Sequence, residues 1–139
     1  MKEFNILELF KKAKLKVTPQ RTAIINTISR YGHIEMDQLI LELSNMMPNL
    51  SVATIYKNIN TLLKYKIIKE VLFPNKKKMY ELNCDTHIHL VCKGCGKITD
   101  VNVDKEVIKE RFSDITNVDF EDFLVNLFYL CDKCKNKNI

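Results

Sequence analysis

Two kinds of metal-binding side chain crowd into nine residues, His87-Ile88-His89-Leu90-Val91-Cys92-Lys93-Gly94-Cys95. The apolar residues between and after the histidines predict a strand. Successive side chains of a strand alternate faces, so His87 and His89 point the same way. Cys92 and Cys95 come next on a Gly-containing turn, a knuckle that lets two thiolates converge on one ion. A second C-x2-C pair, Cys131 and Cys134, stands at the far end of the chain. Four such thiolates close a tetrahedral shell around Zn2+ with no position left for water, the mark of a structural site. Residues 96–130 between the pairs exceed the commonest zinc-ribbon gap, and two strands and a helix account for the length. Four cysteines buried as small hydrophobes would not repeat this spacing twice. His87 and His89 need other partners, for which His33, Glu81 and Asp100 are the candidates. Three imidazoles and two carboxylates make a nitrogen and oxygen shell suited to Fe2+ or Mn2+, with Zn2+ as a competitor.

The elements that must position these residues run from the N-terminus. Ile6, Leu9, Phe10 and Ala13 fall at helical spacing within residues 3–14. Thr18-Pro19-Gln20-Arg21 opens a second helix: Thr supplies a capping oxygen, and Pro fits the first helical position, where its missing N–H is no loss. That helix runs through Ala23, Ile24, Ile25 and Ile28 to a stop at Tyr31-Gly32, which leaves His33 in the loop beyond. A third helix holds Leu39, Ile40, Leu43 and Met47 and ends at Pro48-Asn49. Ser51 caps a fourth, from Val52 to about Leu63, with an apolar stripe of Val52, Ile55, Ile59, Leu62 and Leu63. Its other face shows Ala53, Tyr56, Lys57, Asn60 and Lys64, and no acid occurs from Ser51 to Lys69. Amides and cations without carboxylates suit a helix that enters a DNA groove. An ordinary solvent-facing surface would look the same in isolation. The next segment tips the balance: residues 67–72 and 79–82 flank a turn carrying Lys76, Lys77 and Lys78, a basic hairpin. Helices closed by such a hairpin describe a winged helix.

Beyond the first knuckle, Lys97 to Val101 predicts a returning strand, and Asp104 caps a short helix through Val107, Ile108 and Phe112. Residues 118–131 alternate, with Phe123, Val125, Leu127, Tyr129 and Cys131 on one face. The parity changes near Asp122, which predicts a bulge. The tail from Asp132 is polar apart from Cys134. The fold class is therefore α+β: a winged-helix DNA-binding domain over residues 1–83 and a small metal-binding α/β dimerisation domain over 84–139. The second is too short to be stable without its metal or a partner chain, so a homodimer is expected.

Charge agrees with that division. Residues 1–83 carry 14 Lys and Arg against 7 acids, whereas 84–139 carry 8 against 10. Nucleic acid should meet the first half only. No apolar run nears the roughly 20 residues of a membrane span. The first residues lack a signal-peptide pattern, so a cytoplasmic location is expected, where cysteines serve as metal ligands more readily than as disulfides. Cys84 stands outside both pairs and reads as a small buried thiol. A zinc hydrolase would need an open coordination position and a general base, and no H-E-x-x-H signature is present. No enzymatic activity and no small-molecule substrate are expected.

Thr18-Pro19-Gln20-Arg21, Ser51-Val52-Ala53-Thr54-Ile55-Tyr56-Lys57-Asn58, His87-x-His89 and Cys92-x-x-Cys95-Gly96 together resemble the ferric uptake regulator family of bacterial metalloregulators, over nearly the full length. The resemblance implies a metal-dependent transcriptional repressor that binds a palindromic double-stranded operator as a homodimer. It places His33, Glu81, His87, His89 and Asp100 on the regulatory metal, Fe2+ or Mn2+, and the four paired cysteines on structural zinc. It places Tyr56 and Lys57 on the DNA-contacting helix, and Arg21, Ser51, Ala53, Thr54, Asn60 and the hairpin lysines Lys76, Lys77 and Lys78 are the further candidate DNA contacts. Iron sensors of the family often carry an acid between the paired histidines and a histidine on the last strand. Ile88 and, by alignment from Cys131, Phe123 stand there. Those replacements and Asp100 resemble the peroxide regulators, in which Fe2+ and H2O2 oxidise a ligand histidine; His33 and His87 occupy the oxidised positions. Glu81 stands where peroxide regulators usually have Asp, as in iron sensors. The reading is peroxide sensing, with an iron-responsive regulator as the alternative and a constitutive DNA-binding protein with purely structural metal behind it.

Overall fold

A computed structural model describes residues 5–83 and 86–137; Cys84 lies outside them. The chain divides into two compact units, Met1–Cys84 and Asp85–Ile139. In the first, α1 (Ile6–Ala13), α2 (Pro19–Tyr31), α3 (Met36–Met46) and α4 (Val52–Lys64) precede a hairpin of β2 (Ile68–Val71) and β3 (Met79–Leu82). A two-residue strand, β1 (Ile34–Glu35), precedes α3 and pairs antiparallel with β3, giving the sheet order β1-β3-β2. This is a winged helix, and its helices start where side-chain caps place them. Thr18 Oγ1 accepts from Arg21 N at 3.2 Å and Ser51 Oγ from Thr54 N at 3.1 Å. The third orphan donor of each helix is satisfied in this way. Gly32 stops α2 at φ +76°, a conformation that favours a residue without Cβ. Phe10, Ile24, Ile25, Ile28, Leu39, Leu43, Ile55, Ile59 and Leu62 are buried in one continuous core with Ile67, Ile68 and Tyr80.

In the second unit, β4 (His87–Cys92) is the middle strand of a three-stranded sheet. β5 (Ile98–Asn102) runs antiparallel to it and β6 (Asn126–Tyr129) parallel. Asp104 caps α5 (Lys105–Thr116), its Oδ1 accepting from Glu106 N at 2.9 Å. A last short helix, α6 (Asp132–Lys137), carries Cys134. Among the described residues of this unit only His89, Val91 and Cys92 are buried.

Three expectations need correction, and the polar tail proves to carry a helix. The strand expected over 118–131 is only Asn126–Tyr129, so Phe123 and Val125 precede it and the bulge near Asp122 does not arise. Residues 118–125 lie outside any strand, Val125 reaching β4 only through its carbonyl, which accepts from His89 N at 2.9 Å; alternation alone does not make a strand. The polar tail is helical over Asp132–Lys137, because Cys134 must turn back toward the first knuckle. Val52, placed on the apolar stripe of α4, is 48% exposed; it sits in the first turn, before the helix reaches the core. Met47 lies just past the end of α3 as its C-cap.

Candidate metal centres

The histidine site is built by the ladder. His89 sits directly opposite Asp100 on β5, and His87 lies two residues earlier on the same face of β4. His87 Nε2 and His89 Nε2 are 3.0 Å apart, the edge expected between two cis ligands each about 2.1 Å from one ion. Asp100 closes on the same point, Oδ1 at 3.7 Å from His89 Nε2 and Oδ2 at 4.0 Å from His87 Nε2. Both imidazoles are almost wholly buried, while the Asp100 side chain is 42% exposed. Two ring nitrogens and one carboxylate fit a borderline divalent cation such as Fe2+ or Mn2+ and would also accept Zn2+.

One neighbour carries no sequence signal. Asn126 is the parallel-ladder partner of His89, and its Oδ1 lies 3.2 Å from His89 Nδ1. No motif flags a lone asparagine, and only the pairing of β6 with β4 puts it there.

In the first unit, His33 and Glu81 meet. His33 comes after α2 and precedes β1, whose partner β3 carries Glu81, and His33 Nε2 is 2.8 Å from Glu81 Oε2. The Glu81 side chain is only 3% exposed, and Lys69, its ladder partner on β2, brings Nζ to 3.4 Å from Oε1. A buried carboxylate needs such cationic or hydrogen-bonding neighbours. Phe73, at the start of the turn between β2 and β3, is buried and meets the His33 ring edge-on at a centroid distance of 5.5 Å.

Cys92, Cys95, Cys131 and Cys134 converge, with all sulfurs within 4.8 Å of one another. The Cys95 and Cys131 sulfurs are 3.9 Å apart, near the roughly 3.8 Å edge of a tetrahedron with Zn–S bonds of about 2.3 Å. Cys131 N donates to Cys92 Sγ at 3.3 Å. That donor and the backbone N–H of Cys95 pull the Cys92 thiol down to about 5, prepared as a thiolate. Hydrogen bonds with Cys131 and then Cys92 push the Cys134 thiol up to about 12. Gly94 permits the closure: a Cβ there would lie 2.7 Å from Cys134 Sγ and 2.9 Å from its Cβ. The geometry and the thiolate chemistry fit a closed structural zinc site.

On α4, Ala53, Tyr56, Lys57, Asn60 and Lys64 lie together along one side. Ser51 is occupied with capping, and Thr54 Oγ1 lies 2.8 Å from its hydroxyl. Arg21 donates from Nη1 to Lys16 O at 2.7 Å, which ties the start of α2 to the preceding loop. In the hairpin, Lys77 pairs with Asp37 at 2.8 Å and Lys78 with Glu70 at 3.2 Å, and Lys76 is exposed.

A winged helix joined to a unit with a four-thiolate cluster and a histidine–carboxylate cluster is the build of a metal-dependent transcription regulator. The ferric uptake regulator family model matches residues 12–128, and the chain belongs to that family. It is 31% identical over 129 residues to the peroxide-responsive repressor PerR of Staphylococcus epidermidis, covering 91% of this chain and 86% of that protein. PerR of Staphylococcus aureus is 32% identical over 91% and 87% of the respective chains. Among solved structures, the peroxide stress regulator of Campylobacter jejuni matches with a TM-score of 0.74 and 31% identity, over 94% of this chain and 100% of that one. The Helicobacter pylori ferric uptake regulator shares the fold, with a TM-score of 0.72 at 22% identity over 100% of both chains. No helix among the described residues is long and apolar enough to cross a membrane.

Proposed function

We propose that this chain is a peroxide-sensing repressor that binds a palindromic operator as a homodimer, under control of Fe2+ or Mn2+ held by His33, Glu81, His87, His89 and Asp100. The observation that carries it is the convergence of His87 Nε2, His89 Nε2 and the Asp100 carboxylate on one face of β4 and β5. Three donors leave a six-coordinate ion unsaturated. His33 and Glu81 are the nitrogen and oxygen donors that the winged-helix unit offers to complete the set. An ion drawing ligands from both units would fix the angle between them, and with it the spacing of two α4 helices in a two-fold dimer.

The residues have distinct tasks in that scheme. His87 and His89 would hold the ion through Nε2, burial keeping bulk water off both ring nitrogens, and Asp100 and Glu81 would balance its charge. Tyr56, Lys57 and Asn60 face the duplex, and the hairpin lysines meet phosphates. Bound Fe2+ would supply the redox chemistry by which H2O2 adds one oxygen to a ligand imidazole, with the second oxygen leaving as water. An oxygenated ring of His33 or His87 is a poorer donor, so the grip between the units fails and DNA is released.

The test is to load Fe2+ or Mn2+ without oxygen, add H2O2, and track DNA release alongside the masses of peptides carrying His33 and His87. A gain of one oxygen (~16 Da by simple mass addition) with release in the Fe2+ form only supports the proposal. Release without that gain, or equal release from the Mn2+ form, refutes it. A second reading, an iron-responsive regulator using Fe2+ as a reversible co-repressor, is favoured by Glu81, which stands where iron sensors of the family also carry Glu. It expects DNA binding to track Fe2+ concentration with no oxygen gained.

A further inference from the structure

We infer that Asn126 is a positioning residue for His89, holding its imidazole in the tautomer with hydrogen on Nδ1 so that Nε2 presents a lone pair to the cation. The inference rests on His89 being a regulatory ligand, as proposed above. Asn126 opens β6 directly beside His89 in the parallel ladder, and His89 N donates to Val125 O at 2.9 Å, which pins the two strands at this point. The Asn126 Oδ1 to His89 Nδ1 separation is 3.2 Å. An amide oxygen only accepts, so Nδ1 must donate, and a neutral imidazole has a single N–H. Nε2 then carries the lone pair, and it is this nitrogen that lies 3.0 Å from His87 Nε2 and 3.7 Å from Asp100 Oδ1.

The His89 side chain is 1% exposed, so protein neighbours rather than bulk water decide which nitrogen carries the proton. Free histidine prefers hydrogen on Nε2, the opposite of what the cluster needs. A metal-ligating histidine ordinarily gives its other N–H to a carboxylate, a carbonyl or water, and losing that partner typically costs about 10–100-fold in metal affinity. An amide performs the orienting task without adding charge to a cluster that already holds Asp100.

The test uses the full chain with its zinc retained and the regulatory site stripped. Mn2+ affinity is measured for the unaltered chain, His89→Ala, Asn126→Leu and Asn126→Asp, and long-range 1H–15N spectra of the zinc-bound protein before Mn2+ is added report the His89 tautomer. Asn126→Leu should weaken Mn2+ binding about 10–100-fold and move the His89 proton off Nδ1, with zinc content and melting unchanged. Asn126→Asp, which keeps an acceptor in place, should restore the Nδ1–H tautomer and an affinity at or above that of the unaltered chain. Unaltered Mn2+ affinity or an unaltered tautomer in Asn126→Leu overturns the inference. Should that variant lose zinc and unfold, the unaltered chain decides alone: an Nε2–H ring overturns the inference and an Nδ1–H ring supports it. Should His89→Ala bind Mn2+ as tightly as the unaltered chain, the ligand reading itself fails, independently of Asn126.

Discussion

At the scale of single residues, the two metal clusters differ in how they are prepared. The cysteine cluster is made ready by backbone N–H groups that favour the Cys92 thiolate before any cation arrives. A thiol whose folded value of about 5 lies below its ordinary 9.0 contributes stability that is fully present above pH 9 and lost as pH falls through 5. Cys134, raised to about 12, acts in the opposite sense: its contribution is present below pH 9 and lost as pH rises through 12. In zinc-stripped, reduced protein the contribution of these two thiols to stability is therefore largest near pH 9 and falls on either side, as calorimetric melting of the unaltered chain and a Cys92→Ser, Cys134→Ser variant across pH can check. Gly94→Ala is a sharper test, since a methyl group there meets Cys134 at 2.7 Å. Its zinc content, measured by metal analysis, should fall well below one per chain, while the winged-helix unit keeps its helical signal. His89→Ala should do the reverse, keeping zinc and losing tight Mn2+ binding.

At the scale of elements, local capping and long-range pairing divide what the sequence made legible from what it hid. Thr18, Ser51 and Asp104 announce their helices because a side-chain oxygen beside an apolar-periodic run has one cheap use, to satisfy the orphan N–H groups. The His-x-His strand and the doubled cysteine spacing were legible for a similar reason, since the chemistry restricts the geometry. What stayed hidden depends on partners far away in the chain. β1 has two residues and no period to read, and it exists because β3 offers it a ladder. β6 shrinks to four residues because only Asn126–Tyr129 runs alongside β4, and with it comes the contact of Asn126 on His89. The burial of Phe73 against His33 and of Glu81 beside Lys69 likewise arises from tertiary packing rather than from alternation. Ser51→Ala should cost about 1 kcal/mol of stability, as denaturant unfolding of the first unit can show. Ile59→Ala, in the core face of the same helix, should cost about 2–5 kcal/mol. On the opposite face, Lys57→Ala should weaken DNA binding about equally for all sequences and reduce the salt slope by about 1. A change confined to one operator base would instead make Lys57 a base-reading residue.

At the scale of the whole molecule, the two units rest on different supports. The first buries a continuous core of aliphatic side chains, whereas only His89, Val91 and Cys92 are buried among the described residues of the second. The second unit leaves Val107, Phe112, Ile115, Val118, Leu127 and Phe128 exposed. An apolar surface on so small a unit is what a partner copy and a closed zinc site would stabilise. Zinc removal should accordingly dissociate the proposed homodimer, visible by sedimentation, before it melts α2, α3 and α4. The most direct test of the central claim is operator affinity with the regulatory cation present and then chelated while zinc stays bound, on a duplex selected from a random library. Coupling of about 1–3 kcal/mol corresponds to a loss of roughly 5–150-fold on chelation, with full recovery when Mn2+ is returned. Equal affinity in both states would contradict metal control of DNA binding and leave only a constitutive DNA-binding protein with structural zinc.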